Sequence, residues 1–373
     1  MNILITGGAG FIGTVLAKQL ISAGHEVVAV DPLTPQIHGA LPELQLPEGL
    51  ELIRADIRNS EQYRDAVEKA DAIYHLAAET GTGQSMYQIS QYVSCNDFGT
   101  AQLLETIASC TPRERTIFLA SSRSIYGEGA YTRAGGDEAV MQAKPRSPEA
   151  LAREEWELRD VDGTTLEPVA TPETLPFSPG SVYAATKAAQ ELLLISASPG
   201  LRAKSVIFRF QNVYGEGQSL RNPYTGIISI FFNRARQGFD IPLFEDGQPT
   251  RDFVHVEDVA RAMVDSLSAD LAHGEVINLG SGVATTVEDL ARKLTQQAGF
   301  DVPIKVTGQY RVGDIRHNWA DLSRASSLLG YAPQIDLSTG LSRFVAWAAG
   351  QPAYQDRSEQ ANEELRAKGL AKS

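Results

Sequence analysis

Short β-branched and aliphatic runs alternate with longer amphipathic stretches through the first half of the chain. Runs at Asn2–Thr6, Glu26–Val30, 51–54, Ala72–His75 and 116–120 predict strands, and 11–23, 60–69 and roughly 85–108 predict helices between them. A further helix at 183–197 feeds a strand at 205–209. This βαβ rhythm predicts an α/β fold, a Rossmann-type doubly wound parallel sheet over residues 1–211. After about Asn212 the pattern changes to loops, a helix near 227–237 and short segments punctuated by Gly and Pro. These predict a smaller carboxyl-terminal lobe over 212–350, with segments around 253–268 returning to the main domain. Residues 351–373 are polar and predict a mobile tail.

One stretch breaks the rhythm. Residues 131–176 form an insertion in a region rich in Gly, Pro, Glu and Arg. Within it, Ser147-Pro148-Glu149 is a good helix start, with a capping Ser, Pro at the first helical position and an acid in the first turn. The helix is expected to continue through 150–159. The insertion reads as an excursion over the site and not as a separate domain.

Composition narrows the classes. Of 373 residues, 43% are hydrophobic, enough for a large core. The net charge of −13 argues against nonspecific nucleic-acid binding. Cys95 and Cys110 are the two cysteines, too few for a disulfide framework or a cysteine zinc site. The amino terminus lacks the basic start and apolar run of a signal peptide, and no stretch approaches about 20 uninterrupted apolar residues. A cytoplasmic protein that spans no membrane is the expectation.

The first strand runs into Gly7-Gly8-Ala9-Gly10-Phe11-Ile12-Gly13. Glycines at 7, 10 and 13 permit a tight turn, close backbone approach to a pyrophosphate and close helix–strand packing. The N–H groups opening the next helix suit phosphate. Asp31 ends the second strand, where a carboxylate can accept both ribose hydroxyls and repel a 2′-phosphate. The site therefore predicts NAD in preference to NADP. Asp56-Ile57 ends the third strand, where Asp56 is either a partner for the adenine amino group or a surface acid. Leu76-Ala77-Ala78 follows the fourth strand and suits either close cofactor approach or a tight packing corner.

Tyr183 and Lys187 are four residues apart, on one face of a helix. There the ammonium can lower the phenol's pKa from about 10 towards neutrality, so the phenol can exchange a proton with a substrate hydroxyl. Ser122 lies at the end of the fifth strand, pointing into the ligand crevice of such a sheet, where it can bond the same oxygen.

Together these motifs resemble the extended short-chain dehydrogenase/reductases of the nucleotide-sugar epimerase/dehydratase group, over nearly the whole chain to about residue 350. The resemblance implies a Ser122, Tyr183 and Lys187 catalytic triad. It implies a cofactor site of Gly7, Gly10, Phe11, Ile12, Gly13, Asp31, Asp56, Ile57, Leu76, Ala77, Ala78, Asn96, Tyr183, Lys187 and Gln211. On the substrate side it implies Ser122, Ser124, Asn212, Arg251, Arg311 and Asp314, with Asn212 at the substrate phosphate and both arginines gripping the diphosphate. It also implies a homodimer built from the helices near 85–108 and 183–197. The apolar run Leu192-Leu193-Leu194-Ile195 fits a helix buried on two faces, and a deep core position fits it almost as well.

Members of the group share a first step, oxidation of a sugar 4-hydroxyl. A 4,6-dehydratase then needs an Asp-Glu or Glu just after the catalytic Ser/Thr, and here those places hold Arg123 and Ser124. Epimerisation needs no added acid and is the expected reaction. Segments 81–87, 121–129 and 313–317 look most like the dTDP-L-rhamnose 4-epimerase branch, so a dTDP- or UDP-sugar is the expected partner. A UDP-glucose or UDP-N-acetylglucosamine 4-epimerase and a 4-ketosugar reductase are the alternatives. Some relatives carry cysteine pairs in the insertion; this chain has none there, and no metal is expected.

Overall fold

The computed structural model describes residues 1–39, 45–135, 139–222, 226–311, 313–354 and 358–372. The predicted residues 136–138, within the insertion, lie outside that set, as do 355–357 and 373 of the tail. Seven strands form the main sheet: β1 (Asn2–Thr6), β2 (Glu26–Val30), β3 (Leu50–Ile53), β4 (Ala72–His75), β5 (Arg115–Ser122), β6 (Ala203–Phe210) and β7 (Glu275–Leu279). Their order is β7-β6-β5-β4-β1-β2-β3, and every neighbouring pair is parallel. This is the Rossmann-like doubly wound sheet expected.

Side-chain alternation places a core on each face. Ile3 and Ile5 of β1 join Leu16 and Leu20 of helix α1 (Phe11–Ser22) on one side. Leu4 points the other way, into a core with Ile73, Ile117, Leu103 and Leu194. Leu194 belongs to helix α2 (Val182–Ala197), which is cap-stabilised where Ser181 accepts from Ala184 N at 3.1 Å. Helix α3 (Val256–Asp265) contributes Val259, Ala260 and Met263 to the first core, so a late part of the chain returns to the sheet, followed by β7.

Beyond Asn212, a third core gathers Phe231, Phe232, Leu290, Leu294, Leu341 and Phe344 beside a two-strand sheet of Ile241–Leu243 and Ile304–Val306. The insertion builds a three-stranded antiparallel sheet from Ala130–Arg133, Met141–Gln142 and Leu166–Val169 over a small core of Tyr131, Ala143, Leu158 and Leu166. Its helix begins as predicted, with Ser147 accepting from Ala150 N at 3.2 Å. It stops at Ala152, because Glu154 adopts a φ of 60° and the chain turns so that Leu158 enters the insertion core.

The predicted helix over 85–108 is also segmented. Pieces at Thr82–Ser85 and Ile89–Tyr92 lead into a π-helical turn at Val93–Phe98 before Gly99–Ser109. The tail expected to be mobile instead carries a helix at Ser358–Ala367 and a strand at Ala371–Lys372 paired antiparallel with Tyr310–Arg311. Tyr87 Oη donates to Glu364 Oε2 at 3.0 Å. These attachments are polar and leave no trace in an apolar pattern. Among the described residues no helix is long and apolar enough to cross a membrane.

Candidate active site

The cleft opens at the carboxyl ends of β1, β2, β4 and β5, with a volume of about 510 Å³. At its floor Gly7 turns with φ 72°, its N–H bonded to Val30 O at 2.7 Å. A methyl group on Gly7 would meet Ala77 N at 2.8 Å, and one on Gly13 would meet Gly7 O at 2.5 Å. Gly10 precedes α1 without any side-chain cap, so the opening N–H groups of Phe11, Ile12 and Gly13 face the cleft unscreened.

Asp31 sits at the end of β2, buried, and accepts from Ala9 N at 3.3 Å and Leu33 N at 2.9 Å. His38 Nε2 lies 3.4 Å from its Oδ1, a neighbour that the spacing of the motif gave no sign of. Asp56 and Ile57 also line the cleft, yet both oxygens of Asp56 are taken by Arg58, at 2.8 Å from Nε and 2.5 Å from Nη2. The Arg58 hydrogen bonds hold the Asp56 carboxyl below its usual range. An adenine amino group would have to share this carboxylate with a guanidinium.

Ser122, Tyr183 and Lys187 converge on the same cleft. Buried pairs hold α2 against the strands that carry Ser122. Arg209 Nη2 bonds Glu191 Oε2 at 2.8 Å, and Ser121 Oγ bonds Glu191 Oε1. Ser122 Oγ accepts from Ser124 N at 3.2 Å, which leaves its hydrogen for the Tyr183 phenol to which it bonds. Lys187 Nζ donates to Ala120 O at 2.8 Å, and burial pushes its pKa down to about 8. Burial pushes the Tyr183 phenol up, opposed by the Ser122 hydrogen bond and the Arg123 charge. The expected lowering by Lys187 is therefore not what this arrangement shows, because that ammonium is directed to the Ala120 carbonyl.

Several predicted residues are not among the described residues that line this cleft. Asn96 is fully buried behind it, accepting from Glu79 N at 2.8 Å and donating to Thr186 Oγ1 at 2.9 Å. It ties the π-helical turn to α2 and to the Glu79 edge of the cleft. Arg251 spends Nη1 on the carbonyls of Thr250 and Arg316, and Nη2 on Asp314 Oδ1 at 3.1 Å and Ile315 O at 2.6 Å. Arg311 lies over the Phe244 ring, with Cζ 4.8 Å from its centroid, and burial lowers its pKa against the pull of Asp314. Arg251, Arg311 and Asp314 thus form one assembly, near enough to Arg123 of the cleft for the charges of Arg251 and Asp314 to act on it. Ser124, Gln211 and Asn212 do line the cleft. So do Arg123, Gln218 and Ser219, which were not predicted as ligands; the loop after Gly217 carries no periodicity that would mark the latter two.

The segment containing Asp314 is clamped by the insertion. Arg146 Nη2 donates to Asp314 O at 2.9 Å and Nη1 to Glu245 Oε2 at 2.8 Å. Arg316, 1% exposed, bonds Glu157, Glu245 and Asp246, while its own N–H reaches Glu128 Oε2 at 2.7 Å. Among the described residues that line this cleft, none comes from 131–176. Charged residues of the insertion thus find partners in the lobe beside the cleft.

Residues 3–153 and 162–280 match the NAD dependent epimerase/dehydratase family. The chain belongs to this family. It is 40% identical over 351 residues to a dTDP-L-rhamnose 4-epimerase of Burkholderia thailandensis, covering 93% of this chain and 95% of the relative. Its structure is similar to the UDP-glucose 4-epimerase of Thermotoga maritima with UDP-glucose, at a TM-score of 0.74 and 27% identity, covering 94% and 99% of the two chains. It is also similar to the UDP-glucuronic acid 4-epimerase of Bacillus cereus in complex with UDP-glucuronic acid and NAD, at 0.75 and 27%, with the same coverage.

NAD is the cofactor of this epimerase/dehydratase family member, and the residues present fit it. The glycine turn leaves backbone where side chains would block a pyrophosphate. Gln211 is 5% exposed, and among the described residues neither its amide oxygen nor its amide nitrogen has a partner, although it lines the cleft. A buried amide left so costs about 1–3 kcal/mol unless something else bonds it. A ligand in the cleft can do so.

Proposed function

We propose that this protein is an NAD-dependent nucleotide-sugar 4-epimerase whose substrate is dTDP-L-rhamnose, working as a homodimer in the cytoplasm. The observation that carries the reaction type is the identity of the groups beside Ser122. Tyr183 is the proton-transfer group there, and Arg123 and Ser124 supply no second acid–base pair for dehydration. The substrate choice leans on the 40% identical relative. A UDP-sugar is the second reading, favoured by the UDP-sugars in the structurally similar Thermotoga and Bacillus enzymes.

Gly7, Gly10, Phe11, Ile12 and Gly13 would hold the pyrophosphate of NAD, Asp31 a ribose, and Gln211 and the Ala77 edge its inner half. When bound, NAD supplies the two-electron acceptor and donor at sugar C4 and a positive charge in the cleft. Tyr183 Oη takes the proton of the sugar 4-hydroxyl and returns a proton to the same oxygen after the sugar's 4-ketone has presented its other face. Ser122 donates to the phenol oxygen and so favours its ionised form. Lys187 steadies the end of β5 through Ala120 O.

NMR of product mixtures from a panel of dTDP- and UDP-sugars tests the assignment. An equilibrium between dTDP-L-rhamnose and its 4-epimer, with cofactor retained and not consumed, is the expected result. Stoichiometric oxidation of NADH would make the enzyme a ketoreductase instead.

A further inference from the structure

Arg123 follows Ser122 directly and lines the cleft with Tyr183 and Asn212. Its Nε donates to Asn212 Oδ1 at 2.8 Å. Because a guanidinium only donates, this bond fixes the Asn212 amide with its oxygen turned to Arg123. What remains of Asn212 for a ligand is Nδ2, and among the described residues nothing accepts from it. The Nη1 of Arg123 is buried and likewise meets no protein acceptor. Apart from the second lone pair of Asn212 Oδ1, the two side chains therefore offer donors. A sugar hydroxyl is poorly served there, since only that lone pair could accept its own proton, whereas a phosphate oxygen needs only donors.

Charge agrees with this. Burial and then the neighbouring Arg251 charge push the Arg123 guanidinium down to about 9. Like charges held this close call for an anion between or beside them. The terminal nitrogens of Arg251 are themselves spent on carbonyls and Asp314, which leaves Arg123 as the guanidinium lining the cleft beside Asn212.

We propose that Arg123 binds the sugar-linked phosphate of the substrate, donating from Nη1 beside Asn212 Nδ2, and so places the sugar between that phosphate and Tyr183. The proposal rests on the nucleotide-sugar reading of the cleft and adds a specificity residue to it. The same residue type that removes dehydration chemistry from the site would then anchor the substrate.

The test is calorimetric titration of dTDP against dTMP, and of UDP against UMP, into NAD-loaded wild-type protein, Arg123→Met and Arg123→Lys. Arg123→Met should weaken the preferred diphosphate about ten- to a hundredfold. The matching monophosphate, which lacks the second phosphate, should change less than about twofold, and Arg123→Lys should recover part of the loss. Equal losses for diphosphate and monophosphate, or an unchanged diphosphate affinity in Arg123→Met, would overturn the assignment and leave the epimerase reading standing. If Arg123→Met does not fold, the Lys variant decides: a diphosphate affinity below that of wild type with an unchanged monophosphate affinity supports the phosphate role, and an unchanged diphosphate affinity or a loss shared with the monophosphate overturns it. Wild-type protein that binds neither diphosphate would overturn the nucleotide-sugar reading itself, and this assignment with it.

Discussion

Tyr183 begins with the wrong proton affinity for its task. Burial holds the phenol above its ordinary value, while Lys187 is held down to about 8, so in the ligand-free cleft Lys187 yields its proton first. The Ser122 hydrogen bond and the Arg123 charge pull the phenol back, and further positive charge in the cleft pulls the same way. Tyr183→Phe removes the phenol oxygen that we propose takes the 4-hydroxyl proton. Its kcat should fall about 10²- to 10⁴-fold, with NAD affinity unchanged in a fluorescence titration. Asp31 makes a second residue-level prediction. Its carboxylate is braced by Ala9 N and Leu33 N at the rim of the glycine turn. Asp31→Ala should weaken NAD about tenfold or more and erase the preference over NADP, read as the ratio of their Kd values. An unchanged ratio would remove the ribose role from Asp31. Both residues were legible in the sequence, because an i, i+4 pair and a strand-end acid are local patterns. His38 beside Asp31, and Arg58 over Asp56, were not, since neither side chain's direction follows from spacing.

Elements here were best read where propensity and packing agree. The strand β1 and the cap at Ser147 stand as the local sequence directs. The helix expected over 150–159 fails because burying Leu158 is worth more than another helical turn on an exposed surface. The predicted 85–108 helix breaks for a similar reason: its π-helical turn places Asn96 against Glu79 and Thr186. The insertion gives a prediction at this scale through its clamp on Arg316. The His317 hydrogen bond, followed by that of Arg316, holds the Glu157 carboxyl down to about 2 from 4.5. A folded-state pKa below the unfolded value means that the stabilisation is whole above about pH 4.5 and is lost as pH falls towards 2. Trp156, whose ring lies 6.2 Å from that of Tyr310, should therefore change its fluorescence across this window before the main sheet unfolds. In Glu157→Gln that early acid transition should disappear. A transition that persists unaltered would locate its cause elsewhere.

At the scale of the molecule, two apolar surfaces stay exposed among the described residues. Leu192 and Leu193 on α2 are 54% and 38% exposed, and Val93 and Phe98 on the neighbouring segment are 41% and 51% exposed. Leu194, in contrast, is buried in the core of the same chain. The run therefore has one buried and one exposed side, and we propose that the exposed side packs against a second copy. Sedimentation velocity should show a dimer for the wild-type protein and a monomer for Leu192→Asp, with NAD still bound. A wild-type monomer at micromolar concentration would reject the dimer.

The sequence by itself determined the doubly wound sheet and the glycine turn, and it marked Tyr183 with Lys187 and the strand-end Ser122 as candidates, because each is written in a local pattern or in strand-by-strand alternation. The tertiary structure alone decided the rest. It joined the insertion to the Asp314 segment, drew Arg251 and Asp314 together, and left the Arg123 Nη1 beside Asn212 without an acceptor among the described residues. Those outcomes depend on which long charged side chains reach each other across distant segments. A guanidinium's partner is chosen by burial and by the geometry of its donors, and neither can be read from the order of residues along the chain.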